Sequence, residues 1–272
     1  MSTWLDRNIH ANGISLHYYR TGGNKPPIVL LHGFTDNALC WTRVAHVLEQ
    51  EYDVIMVDAR YHGLSEGATT GFSTQLLADD TVAFIQALHL ERPFLLGHSM
   101  GAATTAVVAA QHPDLVRAIL LEDPPWLAKV APESEEDQLQ EPAAHPWYKW
   151  VTDIKALTHE EGIKTAHVQN PTWAEEELGL WLEAKEQFNL NAFRYNTPSP
   201  SWREILPDIT CPILLIIGDR EKGAIITQEV AQEASHLWKD GQVIHLAGAG
   251  HNIRREQFAL YKDVITTFLR DH

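Results

Sequence analysis

The stretch Phe94-Leu95-Leu96-Gly97-His98-Ser99-Met100-Gly101, continuing into Ala102-Ala103-Thr104-Thr105-Ala106-Val107-Val108-Ala109-Ala110, decides how this chain is read. An apolar run of strand length breaks at Gly97, and a small-residue helical pattern opens a few positions later. The spacing around Ser99 is G-x-S-x-G. A strand-to-helix corner this tight holds its central residue in a strained backbone geometry, and only small neighbours leave room for it. Such a corner lifts the Ser99 hydroxyl above the carboxyl edge of a sheet. It also sets the following N–H groups at a helix N-terminus, where negative charge is stabilised. Ser99 is therefore the candidate nucleophile.

Working outward, short apolar runs alternate with helical patterns: Pro27 to Leu31, Val54 to Val57, Phe94 to Leu96, Ile119 to Leu121, and later Ile213 to Ile217 and Gln242 to Leu246. Near-continuous hydrophobicity within each run, rather than strict alternation, indicates parallel strands covered on both faces. Arg254 to Arg270 reads as a closing helix, with Phe258, Tyr261, Ile265 and Phe268 near one face. The expected fold class is α/β, a mostly parallel central sheet with helices on both faces. From about Trp126 to Arg203 the strand signal stops, and six of the nine tryptophans (Trp126, Trp147, Trp150, Trp173, Trp181, Trp202) fall in this insertion. They are expected either to fix the core of a small helical subdomain or to line a pocket between it and the sheet. The acidic run Glu133 to Glu141 reads as a solvated loop.

Two further turns carry chemistry. Leu30-Leu31-His32-Gly33-Phe34-Thr35 closes one strand, where backbone N–H groups can face an oxyanion across from the helix beginning at Met100. Phe34 and Met100 are the expected donors, through their main chains. Gly248-Ala249-Gly250-His251-Asn252 lies between the last strand and the last helix. Of the 15 histidines, His251 alone combines late position, glycine flanks and such a loop, which makes it the candidate general base.

The formal charge of −15 repels phosphate backbones and anionic lipid surfaces, so neither a nucleic-acid nor a membrane partner is expected. No run approaches the roughly 18 apolar residues of a membrane span, Met1 to Gly13 lacks a signal-peptide core, and a cytoplasmic location is expected. Cys40 and Cys211 are too few for a disulfide framework or a zinc cluster and read as small buried side chains. His159 to His167 (HEEGIKTAH) lacks the H-E-x-x-H spacing, and no dinucleotide or phosphate-loop pattern occurs. No metal and no cofactor is expected, and the partner is a small-molecule substrate. Arg254 and Arg255 sit at a helix start, where the dipole disfavours cations, so an internal ion pair is expected in preference to a substrate clamp.

His32-Gly33-Phe34, Gly97 to Gly101 and Gly248 to His251 together resemble the oxyanion turn, nucleophile elbow and histidine loop of the α/β-hydrolase fold family. The resemblance covers about Ile14 to His272. It implies a core of residues 1–125 and 204–272, with residues 126–203 as the family's helical cap. Asp58 to Ser65 is similar to the family's D-x-R-G-x-G-x-S segment, with Tyr61 where glycine is customary; surface or packing use of that ring is expected over a pocket role.

The triad acid is open among three carboxylates. The commoner family position, three residues beyond Gly218, is Glu221, with Asp219 beside it. Counted back from Ile225-Ile226-Thr227, however, that position falls on Gly223, because the connection is two residues longer than usual. The arrangement of the haloalkane-dehalogenase branch places the acid after the preceding core strand, at Asp123, which is favoured. The resemblance implies a cofactor-free serine hydrolase of an ester, lactone, thioester or activated amide, centred on a small carboxylesterase. Two other activities stay open: carbon–carbon hydrolysis of a diketone-like substrate, and a ligand receptor similar to the plant-hormone sensors of this fold.

Overall fold

The computed structural model describes residues 4–67, 71–127, 138–196 and 200–272. The strands are β1 (Leu5–Ala11), β2 (Ile14–Arg20), β3 (Pro27–Leu31), β4 (Asp53–Val57), β5 (Phe94–His98), β6 (Ile119–Glu122), β7 (Gln138–Leu139), β8 (Tyr195–Asn196), β9 (Ile213–Ile217) and β10 (Gly241–His245). The helices are α1 (Thr42–Leu48), α2 (Thr74–Ala87), α3 (Met100–Gln111), α4 (Tyr148–Lys155), α5 (His159–Gln169), α6 (Glu175–Gln187), α7 (Trp202–Ile205), α8 (Gln228–Ser235), α9 (Ile253–Glu256) and α10 (Phe258–Asp271).

Eight strands form one sheet in the order β1-β2-β4-β3-β5-β6-β9-β10, while β7 and β8 pair separately. From β4 to β10 every pairing is parallel, and β2 joins antiparallel to both β1 and β4. The β1–β2 hairpin is an addition to the sequence reading. It turns at Asn12-Gly13, both with positive φ, as a tight two-residue hairpin turn requires. Its first strand is mostly exposed, and so it carried little apolar signal.

The central strands are buried on both faces, which explains their unbroken hydrophobicity. In β3, Val29 and Leu31 point to the layer containing α2, α3 and α8, while Ile28 and Leu30 meet α1 and α10. The expected closing helix is two helices. At Gln257 the backbone leaves the helical region (φ −129°, ψ 47°), separating α9 from α10.

Between β6 and β9 the chain builds α4, α5 and α6, whose own small core joins Ile154, Ala166, Trp173, Leu178, Trp181 and Leu182. Helix α5 opens on a reciprocal capping box between Thr158 and Glu161. Two tryptophans of the insertion do not belong there. Trp126 and Trp202 stack on each other, with ring centroids 5.6 Å apart, within the apolar layer on the sheet. Of the acidic run Glu133 to Glu141, residues 133–137 lie outside the described residues.

Strand order reverses around β3, which lies between β4 and β5. Open α/β sheets bind ligands beyond the carboxyl ends of the strands at such a switch point. The turns leaving β3 and β5 there are His32-Gly33-Phe34 and the Ser99 corner.

Candidate active site

Ser99 sits between β5 and α3 with φ 52° and ψ −115°, a conformation costly for a residue with a Cβ. The flanking glycines make the corner possible. A Cβ on Gly97 would stand 2.2 Å from the Gly101 carbonyl oxygen, and one on Gly101 would stand 2.1 Å from that of Leu31. The Ser99 N–H donates to the Glu122 carbonyl at 2.9 Å, tying the corner to the end of β6.

The residue following that carbonyl is Asp123, also at positive φ (42°) and fully buried. Three donors converge on its two carboxyl oxygens. His251 Nδ1 lies 2.6 Å from Oδ2, the Ile225 N–H donates to Oδ2 at 2.8 Å, and the Ile226 N–H donates to Oδ1 at 2.9 Å. A hydrogen bond at Nδ1 fixes the ring proton there and leaves Nε2 as the acceptor. Ser99 and His251 line one cavity of about 400 Å³.

The other two acids are elsewhere. Asp219 accepts from His245 Nε2 at 2.7 Å and from the Gly248 N–H at 2.6 Å. The latter bond, with that of His245 behind it, holds its carboxyl below the usual range. It thus braces the start of the loop that carries His251 without touching the ring. Glu221 is exposed on a short turn after β9. Neither meets His251, because the longer connection after Gly218 is used to bring Ile225 and Ile226 over Asp123.

Met100 is the first residue of α3, so its N–H has no partner within the helix. Among the described residues no acceptor takes the Phe34 N–H. Both residues border a second cavity of about 450 Å³ that shares Ser99, Phe34 and Trp147 with the first. The Phe34 turn is held by two neutral imidazoles. His32 Nε2 accepts from the Ala59 N–H at 3.0 Å and His62 Nε2 accepts from the Thr35 N–H at 3.1 Å. Each ring donates its Nδ1 proton to a backbone carbonyl, that of Gly33 and that of Arg60 respectively. Burial pushes the pKa of both downward, which keeps them in the neutral form these bonds need. Tyr61 is buried in the apolar cluster that holds Phe188 and Phe193, its ring edge-on to Phe72 at 6.0 Å, and its φ of 65° shows why glycine is customary there.

Sequence reasoning missed His98 and the partners of the ion pairs expected for Arg254 and Arg255. His98 Nε2 lies 2.9 Å from the His251 carbonyl oxygen, and burial keeps its pKa well below the ordinary value, so the neutral ring donates and steadies the His251 backbone. Arg254 and Arg255 do form internal ion pairs. Arg254 reaches Glu122 at 3.4 Å and Asp36 at 3.2 Å, and Arg255 reaches Glu177 at 3.0 Å and Asp36 at 3.1 Å. Lys185 lies 4.0 Å from Asp36. Burial opposes ionisation of Asp36, but Arg255, Lys185 and Arg254 outweigh it and hold the carboxyl far below its usual range. The cluster joins the turn after β3 (Asp36), the inserted helix α6 (Glu177, Lys185) and the start of α9 beyond the His251 loop (Arg254, Arg255). No local sequence signal could reveal it, because its members are up to 219 positions apart.

Trp147, Trp150, Trp173 and Trp181 line the first cavity with Gln169, Asn170, Asn252, Lys185 and Arg255. The second is bordered by Phe72, Leu77, Ala103, Ala192 and Ile225. Cys40 and Cys211 are buried free thiols. Among the described residues no group of side chains could hold a metal ion, and no helix is long and apolar enough to cross a membrane.

A parallel sheet with a serine corner at the switch point defines a hydrolase class, and comparison with known proteins agrees. The profile of the alpha/beta hydrolase fold family matches residues 26–254, and the chain belongs to that family. It is 33% identical over 259 residues to N-formylmaleamate deformylase of Pseudomonas putida, covering 93% of this chain and 92% of that protein. It is 26% identical to 2-(acetamidomethylene)succinate hydrolase of Mesorhizobium japonicum, covering 98% and 95%. Among solved structures, N-formylmaleamic acid deformylase from a Pseudomonas putida strain superposes with a TM-score of 0.75 at 24% identity, over 96% of this chain and 100% of that one. At that identity the superposition speaks for the fold.

Proposed function

We propose that this hydrolase cleaves a small amide-type N-acyl bond of a carboxylate-bearing substrate, through an acyl-enzyme on Ser99. The observation that carries this reading is the Asp123–His251 pair presented to the cavity that Ser99 lines. In this mechanism His251 Nε2 takes the Ser99 proton as Oγ attacks the acyl carbon. The main-chain N–H groups of Phe34 and Met100 hold the oxyanion, and Asp123 stabilises the imidazolium. The C–N bond then breaks as His251 returns the proton to the leaving nitrogen. Water, deprotonated by His251, releases the acyl group and frees Ser99.

The relatives spanning nine-tenths of the chain support the choice of bond and substrate. Their names describe removal of a formyl group from a maleamate and hydrolysis of an acetamidomethylene succinate, both N-acyl compounds of a carboxylic acid. This favours C–N hydrolysis over carbon–carbon cleavage or ligand reception. Ester turnover by the same machinery is an expected side activity, since an alkoxide leaves more readily than an amine. Residues 126–203 act as the cap in this reading, and a cytoplasmic location is part of the same proposal.

The test compares wild type with Ser99→Ala on p-nitrophenyl acetate and on small N-formyl and N-acetyl amides, alongside fluorophosphonate labelling. Loss of labelling and a fall of about 10³-fold or more in kcat/KM are expected for the variant. Comparable rates in both proteins refute the reading.

A further inference from the structure

We propose that Lys185 is the anion anchor of the active-site cavity, its ammonium binding a substrate carboxylate and setting specificity for acidic substrates. The assignment rests on the hydrolase reading only for the identity of the cavity; the binding chemistry is argued from the residues around the lysine.

Lysine is rarely fully buried unless paired, because the desolvated ammonium is costly. Lys185 is only 3% exposed, yet its pairing is incomplete. One N–H donates to the Thr35 carbonyl at 2.8 Å, and the nearest carboxylate oxygen, on Asp36, is 4.0 Å away, beyond hydrogen-bond reach. The Trp181 and Trp150 rings flank the ammonium at 5.2 and 5.7 Å and favour a cation there while accepting no conventional hydrogen bond. An ammonium has three donors, and the Thr35 carbonyl is the one protein oxygen within hydrogen-bond distance of this one among the described residues. The guanidinium of Arg255, which lines the same cavity, is by contrast taken up by Glu177, Asp36 and Asn252.

Charge points the same way. The chain carries a net −15, but among the described residues lining this cavity Lys185 and Arg255 stand against Asp36, with Glu177 paired to Arg255 at 3.0 Å outside the lining. Part of the Asp36 charge is already committed to the two arginines. Among the described residues, the lining of the second cavity has neither lysine, arginine nor carboxylate. A substrate with one acidic and one uncharged end therefore has a defined orientation across Ser99, with its carboxylate toward Lys185.

The test uses succinate as the probe and the neutral diamide succinamide as control, with intrinsic fluorescence as readout, since Trp150 and Trp181 flank the lysine. Ser99→Ala serves as background, so that binding is measured without turnover. Succinate is expected to bind and succinamide to bind poorly if at all, and Lys185→Met to raise the succinate Kd by about 30-fold or more. Lys185→Arg should keep the Kd within about fivefold of the lysine protein, which a purely structural lysine would not predict and which covers the case of a misfolded methionine variant. Absence of succinate binding to the parent, or equal affinity in the Lys185→Met protein, overturns the proposal. Failure of the hydrolase reading shows separately, as unchanged turnover in Ser99→Ala.

Discussion

Replacing Asp123 by asparagine isolates the carboxylate that faces His251. The side chain receives three hydrogen bonds on two oxygens, from His251 Nδ1, the Ile225 N–H and the Ile226 N–H. An amide of the same shape has one acceptor oxygen. Its best placement keeps that oxygen toward His251 and Ile225, where two donors meet, and turns the NH2 against the Ile226 N–H. The buried Ile226 N–H and the amide NH2 facing it are then both unsatisfied, each at a cost of about 1–3 kcal/mol of stability. The catalytic loss is a separate quantity. The negative charge that steadies the imidazolium is gone, and truncating one member of such a buried charged pair costs about 2–5 kcal/mol. At 1.36 kcal/mol per tenfold this is a fall in kcat of roughly 30- to 5,000-fold, with little change in KM. If the amide instead turns its NH2 to the ring, the wrong tautomer is imposed and the loss moves toward about 10⁴-fold. Steady-state kinetics on p-nitrophenyl acetate and a thermal melt measure the two effects independently. A kcat within threefold of wild type in a folded Asp123→Asn protein refutes the role given to this residue.

The remaining predictions concern the surroundings of that pair. Asp219→Asn weakens the brace on Gly248 and His245 and should lower Tm while costing less than about tenfold in kcat, because the carboxylate acts on the loop and not on the ring. Gly101→Ala forces a Cβ within 2.1 Å of a backbone oxygen of β3, so the corner must move; a loss of more than about 100-fold in kcat/KM with a lowered Tm is expected from kinetics and melting. Arg255→Met leaves Asp36 and Glu177 with a missing counter-charge in the interior, worth about 3–5 kcal/mol, and should lower Tm by roughly 5–15 °C in a calorimetric scan. Burial pushes Lys185 down to about 8, against the pull of Asp36, with Arg254, Arg255 and Cys40 also facing it. The ammonium is present below that pH and is lost above it. Succinate affinity should therefore hold up to about pH 8 and then fall by about tenfold per pH unit, as titrated by fluorescence.

The relation of site to fold rests on the ionic cluster beneath the cavity. Asp36 extends the Phe34 turn, Arg254 and Arg255 follow the histidine loop, and Glu177 and Lys185 come from α6. Removing any member leaves buried charge behind, so the cluster commits the inserted helix to one position over Ser99. The arginines gain aromatic faces as well, Arg254 over Trp41 at 4.5 Å and Arg255 over Trp173 at 4.3 Å.

What the amino-acid order settles by itself is local. Apolar runs name the core strands because a parallel strand buried on both faces has no polar alternation to lose, and Pro27–Leu31 and Ile213–Ile217 fall where that rule puts them. The glycines around Ser99 are legible because their need is steric and lies within a few positions. Neither the break at Gln257 nor the hairpin strand β1 has such a signature, since one depends on docking between α9 and α10 and the other lies mostly in solvent. Which of Asp123, Asp219 and Glu221 faces His251 is a matter of distance in space: strands β6 and β9 are adjacent in the sheet, and the loop after β9 must close over one carboxylate or another. The same holds for Lys185 and Asp36, whose charges are separated by 149 positions in the chain and brought together only because α6 folds back over the carboxyl edge of the sheet.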